Sequence, residues 1–218
     1  MTRAANDVLK RAFDLAAAAL GLVLASPLLA GVAVLIALDS RGPVFYRGER
    51  VGQAGRPFRI FKFRTMVEHA DALGGPSTAD DDPRITRAGR WLRRYKLDEL
   101  PQLLNVLRGE MSIVGPRPEV PQYTALLTAE ERAILSVRPG MTDWASIWDI
   151  DEGQELAGSA DAERKYLEEI RPQKVRLQLK YVRERSLRID LQIIARTLAR
   201  LLHLRVVAER STSGGPSR

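Results

Sequence analysis

At 218 residues with 45% hydrophobic side chains, the chain is long enough for one moderate domain with its own core plus an attachment. It has no cysteine, which excludes disulfides, zinc–thiolate sites and cysteine nucleophiles, and its only histidines, His69 and His203, exclude a histidine metal cluster. The formal net charge of +7 calls for an anionic partner (nucleic acid, an anionic membrane face or a phosphorylated substrate), while aromatics at 6% are too sparse for a base-stacking platform.

The first predicted element is a hydrophobic run. From Leu15 to Leu38 the only polar side chain is Ser26. As a helix this run reaches roughly 36 Å, against a hydrocarbon core of about 30 Å. It lacks the polar stripe of a soluble core helix. It is also too long for a signal peptide, and no small-residue cleavage site follows it. Ser26-Pro27 at its centre predicts a kink, because proline removes a backbone donor and the serine hydroxyl can bond a freed carbonyl. Lys10 and Arg11 precede the run, and Arg41, Arg47, Arg50, Arg56, Arg59, Lys62 and Arg64 follow it. Basic flanks mark the cytoplasmic side, and here both ends are basic. Two arrangements follow: a re-entrant hairpin that breaks at Ser26-Pro27 and leaves by the same face, or a spanning anchor with its short N-terminus outside. The residues alone leave both open. Asp14 reads as a partner of Lys10 or Arg11 near the headgroups.

Gly42-Pro43 ends this helix. Val44–Arg47 and Phe58–Arg64 then read as two short strands around a Gly-rich turn, Val51–Gly55. In the second strand Phe58, Ile60, Phe61 and Phe63 interleave with Arg59, Lys62 and Arg64, which suits a core face and a phosphate-facing edge, or equally an edge strand protected by charge. Thr65–Leu73 reads as helical. The loop Gly74–Pro83 holds Asp80, Asp81 and Asp82. Three carboxylates suggest a divalent metal, but without EF-hand spacing a solvated loop and helix cap is the reading taken. Arg84–Tyr95 is a basic amphipathic stretch suited to a membrane face or an anionic substrate.

Asp98 and Glu99 come next, directly before Leu100-Pro101, with apolar residues recurring at Leu100, Leu103, Leu104 and Leu107. Proline is tolerated early in a helix, so the acid pair sits in or just before a first turn. Acids there complement the helix dipole, but the same helix end also attracts phosphate. Arg93 lies shortly upstream. Arg117 follows in Gly115-Pro116-Arg117-Pro118, where two prolines restrict the backbone around a guanidinium whose fork matches two phosphate oxygens. A carboxylate can hold Mg²⁺ against a diphosphate or attack phosphorus itself.

Further on, Glu130–Leu135 reads as helical and Val137–Gly140 as a turn. Asp161–Arg185 is a long charged helix interrupted at Pro172. Ile189–Leu204 is amphipathic, with Ile189, Ile193, Ile194, Leu198, Leu201 and Leu202 against Arg196, Arg200 and Arg205. The chain shows no internal repeat, no Walker A loop and no GxGxxG. The fold class expected is α+β, mostly helical. Residues 1–42 form the membrane segment, 43–205 a compact membrane-associated domain with a β-hairpin and interfacial helices, and 206–218 a flexible tail.

Lys10-Arg11 with Asp14, Ser26-Pro27, Lys62–Met66, Leu97–Leu103, Asn105–Gly109, Val114–Pro118 and Val137–Gly140 stand in an order and spacing that resemble the monotopic phosphoglycosyl transferases, bacterial sugar transferases that begin lipid-linked glycan assembly. The resemblance covers roughly Lys10 to Leu204. It implies transfer of a sugar-1-phosphate from a UDP-sugar to polyprenol (undecaprenol) phosphate, releasing UMP, through a covalent phosphosugar on Asp98. Glu99 is then the dyad partner, assisting the acceptor or the metal, and Mg²⁺ is expected at Asp98. Arg117 holds phosphate, with Lys62, Arg64, Arg93 and Arg138 as further anion contacts. The hydrophobic segment becomes a re-entrant helix broken at Ser26 and Pro27, placing the catalytic domain on the cytoplasmic face of a bacterial inner membrane. No nucleic acid is expected as a partner, and the resemblance allows a homodimer. It also implies the small form, without the extra N-terminal membrane helices of larger relatives. Asp143-Trp144 departs from the family's usual glycine before an aromatic or leucine, which points to the segment Asp143–Ala160 for nucleotide or sugar choice.

Overall fold

The computed structural model describes residues 3–213, with side chains from residue 5 to 202 except that of Asp71. Helix α1 (Arg3–Asp39) is long and apolar enough to cross a membrane. It runs unbroken through Pro27, so the expected break is not an interruption of the helix. The local chemistry accounts for the continuity. Pro27 offers no N–H to the Val23 carbonyl four residues back, and Ser26 Oγ donates to that carbonyl instead, at 2.8 Å.

Both ends of α1 are fastened to the rest of the chain. Near its start, Lys10 Nζ donates to Asp190 Oδ2 at 2.7 Å and to the Val114 carbonyl at 2.9 Å. Asp14, buried, accepts from Ser112 Oγ at 2.8 Å and from the Ile113 N–H at 3.1 Å. Asp14 thus ties the helix to a strand, while Lys10 is 4.0 Å away. At the other end Asp39 accepts from the Ala88 N–H. The Arg64 guanidinium donates to the carbonyls of Ser40, Arg41, Gly42 and Pro43. Between these anchors Ala18, Val32 and Ile36 are buried in two apolar cores, whereas Leu20, Val23, Leu24 and Leu28 are exposed. The apolar helix and the body share a core.

The next four strands, β1 (Phe45–Tyr46), β2 (Glu49–Val51), β3 (Pro57–Arg59) and β4 (Lys62–Phe63), form the expected hairpin. β2 pairs with β3 and β1 with β4, antiparallel and in one continuous register from Val51↔Pro57 out to Phe45↔Phe63. Phe58, Ile60, Phe61 and Phe63 are buried as their spacing predicts. The helix expected over Thr65–Leu73 is not formed. Only Ala70–Ala72 makes a 3₁₀ turn, behind His69 in the left-handed region at φ 60.

Helix α2 (Arg87–Arg94) is capped by Thr86 Oγ1, which accepts from the Gly89 N–H. Lys96, at φ 54, turns the chain into a 3₁₀ segment, Leu97–Gln102, that runs into α3 (Leu103–Arg108). The acid pair therefore sits in the turn before a short helix, as expected. β5 (Ser112–Val114) pairs in parallel with β6 (Gly140–Thr142). A Cβ on Gly140 would lie 2.0 Å from the Gly115 nitrogen, so this close crossing needs glycine and fixes where Pro116-Arg117-Pro118 leaves β5. Between them lie α4 (Pro121–Ala125) and a 3₁₀ segment, Glu131–Ser136.

Helices α5 (Trp144–Trp148), α6 (Glu152–Leu156) and α7 (Ala162–Lys165) lead through a π-helical stretch, Tyr166–Ile170, into α8 (Arg171–Glu184). Pro172 sits in the first turn of α8, and the irregularity precedes it, where the Glu168 carbonyl lacks the proline's N–H. The last helix, α9 (Leu187–Ser213), overlaps the tail expected from residue 206, and residues 214–218 lie outside the described residues. The fold is mostly helical with short strands.

Candidate active site

Asp98 and Glu99 line an open cleft of about 670 Å³. The side chain of Asp98 is 2% exposed, and Lys62 Nζ lies 2.8 Å from its Oδ2. Its Oδ1 is buried without a hydrogen-bond partner. Lys62 Nζ also donates to Glu99 Oε1 at 3.4 Å. Arg117 grips Glu99 with both arms of its fork: Nη1 donates to Oε2 at 2.9 Å and Nη2 to Oε1. One lysine thus touches both acids, and one arginine is held rigid by the second.

Burial alone would push the Glu99 carboxyl up, but Arg117, Lys62 and Lys96 outweigh it and hold Glu99 well below the usual carboxylate range. Glu99 in turn keeps Arg117 firmly protonated against its own burial. A depressed carboxylate contributes stability above its unfolded pKa, near 4.5, and loses it as pH falls through its folded value. Glu99→Gln should therefore lower stability at pH 7 by about 2 kcal/mol. The gap to wild type should narrow in thermal melts taken progressively below pH 4.5.

Of the other expected contacts, Lys62 and Arg93 line the cleft. Arg93 Nη2 donates to the Thr78 carbonyl at 3.5 Å. Arg64 and Arg138 are not brought to the cleft. Arg64 is buried against the end of α1, and Arg138 Nε donates to the Gly109 carbonyl at 3.0 Å. Asp82 pairs with Arg84 rather than joining a metal site, and among the described residues no group of three or more acids or histidines is placed to hold a metal. Ser26 and Pro27 stay in α1.

Lys96 is the residue that the sequence reading passed over. It lines the cleft, makes no ion pair within 4.0 Å among the described residues, and feels both Asp98 and Glu99. Burial lowers its pKa, with the two acids opposing that shift. Its place directly before Leu97-Asp98 was the available signal. From the segment that begins at Asp143, Ala145, Ser146, Asp149 and Glu152 line the cleft. Asp143 itself is fully buried and caps α5, its Oδ1 accepting from the Ser146 N–H at 2.7 Å. Lys174 braces this wall, 3.1 Å from Asp149 Oδ2 and paired with Glu152.

A sequence model of the bacterial sugar transferases matches residues 5–204. The chain is 45% identical over 198 residues to an undecaprenyl-phosphate glucose phosphotransferase of Komagataeibacter xylinus, covering 88% of this chain and 35% of that protein. It is 36% identical over 197 residues to a UDP-N-acetylgalactosamine-undecaprenyl-phosphate N-acetylgalactosaminephosphotransferase of Aeromonas hydrophila, covering 89% and 44%. It is 40% identical over 205 residues to a UDP-glucose:undecaprenyl-phosphate glucose-1-phosphate transferase of Caulobacter vibrioides, covering 93% and 73%. The chain thus spans less than half of the first two relatives and most of the third. With the match running from the start of the hydrophobic helix into α9, the chain belongs to the bacterial sugar transferase family.

Proposed function

We propose that the protein is a phosphoglycosyl transferase that moves a sugar-1-phosphate from a UDP-sugar to polyprenol phosphate and releases UMP. Asp98 carries this reading. It is a buried carboxylate in an open cleft, with one oxygen held by Lys62 and the other unpartnered, among Lys62, Arg93, Lys96 and Arg117. Such a ring of cations suits two phosphates, and a carboxylate set among them suits attack on one of them.

The reaction runs in two displacements. The Asp98 carboxylate attacks the sugar-bearing phosphorus, the bond to UMP breaks, and UMP leaves with the electron pair. A phosphate oxygen of polyprenol phosphate then attacks the same phosphorus, and Asp98 departs as a carboxylate. Neither step requires a proton when the acceptor phosphate is ionised. Glu99, held well below the usual range, is a poor proton acceptor. Its role is to fix the Arg117 fork and share Lys62 with Asp98. Arg117, Lys62 and Lys96 meet the charge that gathers on phosphorus.

Mg²⁺ typically takes one or two carboxylates plus substrate phosphates. The unpartnered oxygen of Asp98 beside a diphosphate-sized cleft fits that mode, with Asp98 as the protein ligand. Bound there, the ion supplies charge neutralisation on the diphosphate.

The acceptor lipid places the enzyme at a bacterial inner membrane, with the cleft on the cytoplasmic side where nucleotide sugars reside. Both ends of α1 are fastened to one body, while its exposed face is apolar. This supports a re-entrant helix over a spanning anchor, since a spanning helix sends one end to the far side. Undecaprenyl phosphate is in the names of the three relatives, two of which name glucose and one N-acetylgalactosamine as the sugar. The test is UMP release from a panel of UDP-sugars in membrane vesicles with Mg²⁺. Inverted vesicles should release UMP with one sugar preferred, and right-side-out vesicles only after permeabilisation. Release from intact right-side-out vesicles, or from none of the panel, would contradict the assignment.

A further inference from the structure

The cleft has two chemical halves. One is charged and holds Asp98, Glu99 and the cations around them. The other is aliphatic, lined by Leu103, Ile113, Met141, Ile194, Leu198 and Leu201. Ile113 and Met141 pack on the core that includes Leu103, and Ile113 packs also on the core beneath α9, beside Ile194. The aliphatic wall is therefore one surface joining α3, β5, β6 and α9. Leu198, although it lines the cleft, is 56% exposed. Lys10 and Asp190 tie the start of α9 to α1, whose outer face carries Leu15, Leu20 and Leu24.

A nucleotide diphosphate sugar presents hydroxyls, phosphates and a polar base, and has no use for such a wall. The acceptor does, because it is a phosphate joined to a long hydrocarbon. Resting on the function given above, we propose that the aliphatic half of the cleft is the binding lane for the prenyl chain of the acceptor. The lane leads from Leu103 past Ile113 and Met141 to Ile194, Leu198 and Leu201, so that the acceptor phosphate points at Asp98 while its tail leaves along α9. Burial of apolar surface supplies the affinity, and the charged half orients the head.

The test compares two acceptors with full-length protein in one detergent: long-chain polyprenol phosphate and five-carbon dimethylallyl phosphate. Leu198→Gln should raise KM for the long-chain acceptor about tenfold. It should raise the KM for dimethylallyl phosphate far less, because that acceptor carries little of the hydrocarbon that the lane holds. Leu198 is half exposed, so the variant should fold. Leu202→Gln is the control, because Leu202 lies on α9, is 60% exposed and does not line the cleft. Its KM should match wild type. An unchanged KM in Leu198→Gln, an equal rise for both acceptors, or an equal rise in Leu202→Gln would overturn the lane. Wild-type protein that releases UMP from no UDP-sugar would instead overturn the reaction on which the lane rests.

Discussion

Asp98→Asn should reduce UMP release by about 10⁴-fold or more, the scale seen when a covalent nucleophile is lost. The substitution is close to isosteric. Its amide oxygen can still accept from Lys62, which lies 2.8 Å from Asp98 Oδ2, so the turn Leu97–Gln102 keeps its anchor. What disappears is the negative charge that attacks phosphorus. A thermal melt near wild type alongside lost turnover separates chemistry from folding. Full activity in this variant would remove Asp98 from the reaction.

Arg117→Lys should cost about 10²- to 10³-fold in kcat for the first displacement, the usual scale for removing one electrostatic stabiliser of a transition state. The planar fork matters here because it meets both oxygens of Glu99 at once, and an ammonium cannot. Pro116 and Pro118 on either side restrict the backbone, so the lysine cannot shift to compensate. Two roles are separable by a double-mutant cycle. If Arg117 acts only through Glu99, Arg117→Lys with Glu99→Gln should be no worse than the more severe single change. If Arg117 itself meets the substrate phosphate, Arg117→Lys alone should already be more severe than Glu99→Gln in single-turnover UMP release.

The hydrophobic run, the hairpin and the acid pair were legible because each is written in adjacent residues. The hairpin followed from two apolar stretches around one Gly-rich turn, while its register is set by the pairing of Val51 with Pro57 out to Phe45 with Phe63. The docking of α1 was not legible, since Lys10 and Asp14 find Asp190, Val114 and Ser112 across most of the chain. Asp14 consequently read as a headgroup-level partner of its own helix. Lys62 and Arg64 show the same limit at short range. Both are basic and two residues apart, yet β4 ends at Phe63, and Arg64 turns to the carbonyls after α1 while Lys62 faces the acids. Arg138 was drawn away by the Gly109 carbonyl at the end of α3. Lys96 escaped notice because a left-handed residue between two helical elements looks like a connector. The expected helix over Thr65–Leu73 is not formed because Thr65 to Val67 pair their backbone with Arg84 to Thr86 instead, and His69 takes a positive φ further on.

The central claim is that the phosphosugar passes through Asp98, and intact-protein mass spectrometry tests it most directly. The protein is mixed with its preferred UDP-sugar and Mg²⁺ without any lipid acceptor. The account predicts release of one UMP per active site and a mass gain of one sugar phosphate that maps to Asp98 and is discharged by added polyprenol phosphate. UMP release only in the presence of acceptor, with no adduct on the protein, would contradict it in favour of direct transfer in a ternary complex.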